Sequence, residues 1–250
     1  MKKVVSIHQP SYFSWFGLFD KIIKSDIFII LDDVQFNKRA FQHRTLYSNA
    51  SGKAAYLTLP VDAKNHQKDS ILINQVILKD SIELELQKHF NILKQRYGKF
   101  KGFKKIENKL KIIFDKKYVK LIDLVVATMN LLIEEFGIST EIVFSSDLNV
   151  TGTKSELMLN LTKAVDGDIY LSGRGAEDYM NDDLFKNNNV EVIYQDFEHI
   201  RFNQELKKDF QVGCLALEII FLDDEFKKKL HEHYLSINQI DLIKGLKWIN

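Results

Sequence analysis

The chain has 250 residues, with 35 lysines and arginines against 34 aspartates and glutamates, and a formal charge of +1. This near balance excludes a protein that binds polyanions over its whole surface, and we expect no nucleic-acid partner. Hydrophobic residues make up 45% of the chain, which excludes global disorder, and a single cysteine excludes a disulfide framework or a multi-cysteine zinc site.

The apolar run that precedes His8 is too short for the core of a signal peptide. No apolar run elsewhere reaches the length of a membrane-spanning helix, which is about 20 residues. We therefore expect a cytoplasmic protein without an integral membrane segment.

The first part of the chain predicts a strand at 4–7, a short helix at 16–24 and a second strand at 27–31. Pro10 ends the first strand because proline cannot donate a hydrogen bond to a sheet. Both strands are continuously apolar, which is typical of a sheet covered on both faces. Residues 54–61 and 74–78 predict two further strands that form an antiparallel excursion.

Residues 80–136 predict a helical insert of three amphipathic helices, because apolar residues recur there at steps of three and four. The residues are Ile82, Leu86, Phe90, Leu93 and Tyr97, then Phe103, Ile106, Leu110 and Ile113, then Leu121, Leu124, Thr128 and Leu131. Nine lysines lie between Lys99 and Lys120. They form either a solvated face or a landing face for an anionic partner.

After Gly137 the pattern alternates again, with strands predicted at 140–144, 168–171 and 190–194 and a helix at 154–165. Such an order favours an α/β fold with a Rossmann-like, largely parallel sheet. No Pro/Gly-rich linker is visible, so we expect residues 1–250 to form a single domain with the insert at about 80–136. The tail from Glu205 onward is expected to be partly helical.

Open parallel sheets bind ligands outside the carboxyl ends of their strands. Polar residues are concentrated after three of the predicted strands. They are His8, Gln9, Tyr12 and Trp15 after the first strand, Asp32, Gln35, Lys38 and Arg44 after the second, and Ser172, Gly173 and Arg174 after the 168–171 strand.

His8 can act as a general base or hold an anion, or it can be a structural residue that bonds the turn around Pro10. Asp32 and Asp33 are adjacent, so in an extended segment their side chains point to opposite faces and only one enters a site. The other would cap the following turn.

Cationic groups are dense at 38–44. They are Lys38, Arg39, His43 and Arg44, which form either a phosphate-recognition cluster or a solvated loop. Segment 172–179 carries two glycines at a strand end, where backbone amides can form an anion nest. Its spacing is neither that of a dinucleotide-binding fingerprint nor that of a P-loop.

Three other features favour structural roles. Thr153 followed by Glu156 fits an ordinary capping box at a helix start. Cys214 has apolar neighbours and is expected to be a small buried hydrophobe rather than a nucleophile. His231 and His233 are too sparse for a zinc signature, so we expect no metal site.

Four strings of the chain are specific enough to compare with known families. They are Ile7-His8-Gln9-Pro10-Ser11-Tyr12, Leu31-Asp32-Asp33-Val34-Gln35-Phe36, Leu57-Thr58-Leu59-Pro60-Val61 and Tyr170-Leu171-Ser172-Gly173. Through these strings the chain resembles the WbqC-like protein family, and the resemblance spans nearly its whole length. The resemblance implies a role in bacterial surface polysaccharide synthesis, especially of the lipopolysaccharide O-antigen. It also implies an acyl or aminoacyl transferase, with glycine as one possible group, that modifies an amino sugar.

This chemistry needs a base for the sugar amine, donors for an oxyanion and cations for a diphosphate. Among the strand-end residues we expect His8 as the base and Asp32 to orient the amine. Lys38 and Arg44 would bind a diphosphate, and Ser172 with Gly173 would donate to an anion or oxyanion. The remaining candidates, all expected to bind substrate, are Gln9, Tyr12, Trp15, Gln35 and Arg174.

The expected acceptor is a nucleotide-linked or lipid-linked amino sugar. The expected donor is an acyl or aminoacyl thioester, and the lysine-rich face at 99–120 could receive an acidic acyl carrier protein. Two other functions stay open. One is a nucleotidyltransferase or ATP-dependent ligase of the HIGH-motif type, although Leu18 follows Gly17 where that motif has its second histidine. The other is a non-catalytic sugar-nucleotide binding protein.

Overall fold

Alternating strands and helices make up most of the chain, as the spacing of apolar residues predicts. The computed structural model describes residues 2–62, 70–197 and 213–236. The strands are β1 (Val4–His8), β2 (Ile27–Ile30), β3 (Arg44–Ser48), β4 (Ala54–Thr58), β5 (Val61–Asp62), β6 (Ile77–Leu78), β7 (Glu141–Phe144), β8 (Ile169–Ser172) and β9 (Glu191–Tyr194). The helices are α1 (Phe16–Ile23), α2 (Ile82–Tyr97), α3 (Lys101–Asp115), α4 (Leu121–Phe136), α5 (Lys154–Ala164), α6 (Asp182–Lys186), α7 (Leu217–Leu222) and α8 (Phe226–Ser236).

The central sheet has five strands in the order β7-β2-β1-β8-β9, and every pair in it is parallel. Helices connect successive strands, which is the arrangement of a doubly wound α/β protein. The predicted Rossmann-like fold with a largely parallel sheet is therefore confirmed.

Both faces of the sheet are buried because β1 and β2 are apolar at consecutive positions. Phe28 and Ile30 of β2 pack with α1 and α4 on one face, and Ile27 and Ile29 pack with α5 and α6 on the other. Fully apolar strands suit this position because neither set of side chains meets solvent.

The three helices predicted for the insert are present as α2, α3 and α4. Leu86, Phe103 and Leu124 lie in the same hydrophobic cluster as Phe16 of α1, so the insert shares a core with the sheet. Helix α3 also packs closely on α7. At Gly102 an added Cβ would lie 1.8 Å from the carbonyl oxygen of Ile220, which only glycine tolerates.

Several local predictions need correction. Strand β3 was not predicted, and it pairs antiparallel with β4. Residues 73–75 form a 3-10 turn, so only the end of the predicted 74–78 strand is extended, as β6, which pairs with β5. The Thr153 side chain makes no capping hydrogen bond at the start of α5, where the backbone carbonyl accepts from Glu156 instead.

The tail predicted to be partly helical contains α7 and α8. The rest of that prediction, at 205–212 and 237–250, lies outside the described residues. Within the described ranges, no helix combines the length and the apolar composition needed to span a membrane.

Candidate functional site

A cleft of about 670 Å³ opens at the carboxyl ends of β1 and β8. The chain runs from β1 to β2 on one side and returns to β8 on the other side of β1, so this is the topological switch point where doubly wound sheets bind ligands. The cleft brings together six of the predicted site residues, which are His8, Gln9, Trp15, Ser172, Gly173 and Arg174.

His8 ends β1 at the floor of the cleft, where solvent reaches the ring although protein surrounds it. Its Nδ1 lies 2.8 Å from the backbone oxygen of Gln9. A carbonyl oxygen can only accept, so Nδ1 carries the hydrogen in the neutral ring and Nε2 is the basic nitrogen. Burial and then the charge of Lys21 lower the pKa of His8 to about 4, which makes the imidazole neutral at pH 7.

Lys21 is a buried cation in the same cleft. Its Nζ donates to the carbonyl oxygen of Ile7 at 3.0 Å, and no carboxylate among the described residues lies within ion-pair distance. Burial lowers the pKa of Lys21 to about 8, so the ammonium is still mostly protonated at pH 7. A buried charge without a counter-charge is costly, and an anionic ligand in the cleft would supply one.

The loop after β8 leaves room for a ligand. An added Cβ at Gly173 or Gly175 would meet no atom within 4 Å, and neither residue has a positive φ. The fold therefore does not require glycine at these two positions, whereas close approach of a ligand to the backbone would. Arg174 lies between them, and its Nη2 is 2.8 Å from Asp196 Oδ1 in an exposed ion pair.

Trp15 forms one wall of the cleft. Its indole lies over Gly17, where an added Cβ would be 2.2 Å from the ring, and it packs edge-on against Phe197 with the ring centroids 5.2 Å apart. Gly17 therefore lets the indole lie flat against α1. The side chain remains 38% exposed, so a ligand in the cleft can contact it.

A buried hydrogen-bond network supports the cleft from behind. Gln195, which also lines the cleft, donates from Nε2 to Asp20 Oδ2 at 2.6 Å and to the carbonyl oxygen of Gly17 at 2.8 Å. The Asp20 carboxylate also binds Lys24 Nζ at 3.0 Å and the hydroxyl of Tyr234 at 2.8 Å. These bonds fix α1, and with it Lys21, relative to the end of β9.

Asp32 does not share the cleft with His8. It is buried on the other side of β2, beyond the end of β7, where its carboxylate accepts bonds from Ser145 Oγ, from the amide and hydroxyl of Ser146, and from Asn74 Nδ2 at 2.9–3.2 Å. The prediction that Asp32 and Asp33 point to opposite faces is wrong, because both carboxylates reach the Ser145 hydroxyl. The segment turns immediately after β2, so the alternation of a strand does not apply.

The other predicted site residues lie outside the cleft. Tyr12 is buried, with its hydroxyl 3.0 Å from His89 Nδ1, and it lines a second cavity together with Arg44. Gln35 and Lys38 are exposed and line no described cavity near His8. The cationic residues at 38–44 thus do not converge on the cleft.

Cys214 and the two histidines His231 and His233 were predicted to be structural. Cys214 is buried, and burial, followed by the charge of Glu218, raises the pKa of its thiol to about 12, as expected for a hydrophobe rather than a nucleophile. His231 and His233 lie on α8, and the described part of the chain holds no group of three residues that could bind a metal ion.

Sequence reasoning did not select Lys21 and Gln195 as site residues. A signal for Lys21 exists, because α1 reads Phe-Gly-Leu-Phe-Asp-Lys-Ile-Ile and every residue of this short helix is buried. A charged pair within such an apolar helix has to meet polar partners or a ligand. Gln195 follows a strand end like the predicted residues, but its sequence neighbours do not distinguish it.

Fold and site together define a doubly wound α/β protein with a ligand cleft at its switch point. A comparison with protein-family models matches residues 9–227 to the WbqC-like protein family, so the chain belongs to this family. It is also 29% identical over 224 residues to the uncharacterized protein Rv1507c of Mycobacterium tuberculosis, an alignment that covers 88% of this chain and 94% of that protein. No solved structure matches the chain.

Proposed function

We propose that the protein transfers an acyl or aminoacyl group, glycine being one candidate, from a thioester to the amino group of a nucleotide-linked or lipid-linked sugar. The product would serve the synthesis of a bacterial surface polysaccharide such as the O-antigen. The observation that carries this proposal is the neutral His8 beside Lys21, a buried ammonium without a carboxylate partner.

His8 is suited to remove a proton from an amine. The amine nitrogen attacks the thioester carbonyl carbon, and its proton passes to His8 Nε2. The carbon–sulfur bond then breaks, the amide forms and the thiolate leaves with the proton that His8 returns. A base that is neutral at pH 7 is needed at the first step, and the tautomer set by the Gln9 carbonyl leaves Nε2 available.

Lys21, Ser172 and the glycine loop supply the groups that an anionic substrate needs. The Lys21 ammonium can offset the charge of a phosphate or an oxyanion, and the backbone of Gly173 and Gly175 has the open space that close approach requires. In this proposal Lys21 binds the diphosphate, the role expected from the sequence for Lys38 and Arg44, since neither of those two residues lines the cleft.

The test is an assay with UDP-glucosamine as acceptor and a panel of acetyl, octanoyl and glycyl thioesters of coenzyme A and of an acidic carrier protein as donors. Free thiol is measured together with the mass of the sugar product. We expect thiol release only when both substrates are present, with the mass gain of the transferred group. Thiol release that is independent of the sugar, or no release with any donor, would contradict the transfer.

A second candidate function is nucleotidyl transfer. Numbered in chain order, the strands of the sheet lie in the order 3-2-1-4-5, which is the order of Rossmann-type nucleotide-binding halves. This function predicts release of pyrophosphate from ATP in the presence of a sugar acid or phosphate. Release of pyrophosphate without release of thiol would favour nucleotidyl transfer. Tight binding of UDP-glucosamine with release of neither pyrophosphate nor thiol would favour a non-catalytic binding protein.

A further inference from the structure

A second cavity of about 460 Å³ adjoins the cleft at the His8–Gln9 segment. His8, Gln9 and Trp15 line both spaces, so these three residues form a common wall. The remaining boundary comes from the loop after β1, from residues within 40–46 and from Gly213. A molecule in this cavity would therefore meet a molecule in the cleft at His8.

The cavity presents a mainly apolar surface. Its large side chains are Pro10, Tyr12, Trp15, Phe41 and Leu46. Three of the polar side chains that line it, besides Gln9, bond to protein: Gln42 Nε2 donates to Gln9 Oε1 at 2.8 Å, and the hydroxyls of Ser11 and Ser14 bond to each other. A ligand that enters needs few polar groups of its own along the cavity.

Arg44 gives one end of the cavity a positive charge. Its Cζ lies 4.7 Å from the ring centre of Tyr56 and 5.7 Å from that of Phe41, and both rings are exposed, so the stacked guanidinium lies toward the surface. One Nη donates to the Arg39 carbonyl oxygen, whereas Nε is buried without a hydrogen-bond partner. No carboxylate among the described residues pairs with this guanidinium. Exposed Lys38 adds to the positive charge of this segment.

We propose that this cavity binds the phosphopantetheine arm of the thioester donor, with the phosphate against Arg44 and the thioester at His8. The arm is a long chain with a phosphate at one end and the thioester carbonyl at the other, and its methylene and methyl groups suit the apolar residues that line the cavity together with Arg44 and His8. The inference rests on the proposed transfer, because the cavity and the cleft, which share His8 as a lining residue, would then hold donor and acceptor next to one base. Coenzyme A and a carrier protein both supply this arm.

The test measures binding without turnover. Trp15 and Trp248 are the two tryptophans of the chain, and Trp248 lies outside the described residues. In a Trp248→Phe protein, Trp15 alone reports on both spaces by fluorescence. The probes are 4′-phosphopantetheine, coenzyme A, decanoate and UDP-glucosamine. We expect the first two to bind, and to bind together with UDP-glucosamine.

Matched variants separate the two spaces. Arg44→Gln should weaken the binding of 4′-phosphopantetheine by about tenfold or more, while Arg44→Lys keeps the charge and should lose less. Neither should change the affinity for UDP-glucosamine by more than about twofold, since Arg44 lies outside the cleft. Gly173→Val should give the reverse pattern. Ala40→Phe places a large side chain at another residue that lines the cavity and keeps the Arg44 guanidinium, which covers the case that Arg44→Gln does not fold.

Equal binding of 4′-phosphopantetheine and coenzyme A would indicate recognition of the arm itself and a carrier protein as source. Much tighter binding of coenzyme A would indicate the free coenzyme, and both results support the proposal. Competition between 4′-phosphopantetheine and UDP-glucosamine, binding of decanoate alone, or affinities that Arg44→Gln and Ala40→Phe both leave unchanged would overturn it. Failure of the transfer assay together with Arg44-dependent binding would instead reject the proposed function and leave this site in place.

Discussion

Two regions at the same edge of the sheet use their polar residues in opposite ways. At the ends of β2 and β7, Asp32 is enclosed by Ser145, Ser146 and Asn74, which satisfy its carboxylate. At the ends of β1 and β8, the Lys21 ammonium has no carboxylate partner among the described residues, and the loop at Gly173 faces open space. The first arrangement stabilises the fold, and the second leaves interaction energy for a ligand.

The largest expected effect concerns His8. Replacing it with alanine should lower turnover by roughly a hundredfold or more, because the base is lost. The thermal unfolding midpoint should stay close to that of the wild type, since among the described residues the ring bonds only to its neighbour Gln9, and it touches solvent. The measurement is kcat in the thioester assay beside a calorimetric scan. Near wild-type turnover would remove His8 from the chemistry.

Lys21 should affect ligand binding rather than folding. Lys21→Met is expected to weaken UDP-glucosamine binding by about tenfold to a hundredfold, the usual value of a hydrogen bond to a charged group, and to leave the free energy of unfolding unchanged or higher, since it removes a buried charge that has no counter-charge among the described residues. Calorimetric titration and denaturant unfolding measure the two quantities. A large loss of stability with unchanged affinity would place Lys21 among the structural residues.

The pH dependence of binding and of stability offers a second test of Lys21. The affinity for UDP-glucosamine, whose diphosphate is anionic, should fall as the pH rises through about 8, because the buried Lys21 ammonium loses its charge at this lowered pKa. Stability should move the other way. Between about 8 and the ordinary value of 10.5 the unfolded chain binds the proton and the folded chain does not, so the free energy of unfolding rises with pH. Lys21→Met should remove both trends.

Asp32, in contrast to Lys21, should affect folding rather than ligand binding or turnover. Asp32→Asn is expected to lower the free energy of unfolding by about 1–3 kcal/mol, because asparagine has one acceptor oxygen for donors that now meet two. Turnover at a temperature where the variant is folded should change by no more than a few fold. A hundredfold loss of turnover at unchanged stability would mean that Asp32 orients the substrate after all.

The smallest expected effect is at Gly173. Gly173→Ala should leave stability unchanged or raise it by about 0.4–1 kcal/mol, since the backbone there suits any residue and alanine restricts the unfolded chain. Affinity for UDP-glucosamine should nevertheless fall, and titration of this variant beside the wild type would show it. Equal affinity would mean that no ligand comes close to this loop.

The sequence predicts the edge of the sheet on which the site lies, but not the direction of each side chain. The strand ends located His8 and Ser172 correctly in one cleft, because parallel strands place their carboxyl ends together. The same rule placed Asp32 at this edge, yet the turn after β2 directs its carboxylate toward Ser146. Such a direction depends on the partner from β7, more than a hundred residues later, and no local pattern encodes it.

Burial was equally hard to predict for single polar residues. The insert helices followed from apolar spacing, since many residues contribute to that signal. Lys21 depends on one position, and in most helices a lysine lies on the solvent face. Strand β3 was not predicted because Arg44, Thr45 and Tyr47 do not form a continuous apolar run. Its extended structure depends on its antiparallel pairing with β4, which the local sequence does not show.

The bond between Tyr234 and Asp20 has a consequence for how the protein is made. The hydroxyl and the carboxylate are 214 residues apart in the chain. The last strand of the central sheet ends at Tyr194, so every strand of that sheet leaves the ribosome before Tyr234 does. Until then the buried Asp20 carboxylate lacks the hydrogen bond from the Tyr234 hydroxyl. Helix α1 and the cleft that it supports therefore reach their final hydrogen bonding only after Tyr234 has left the ribosome, so the ligand site is completed later than the sheet that carries it.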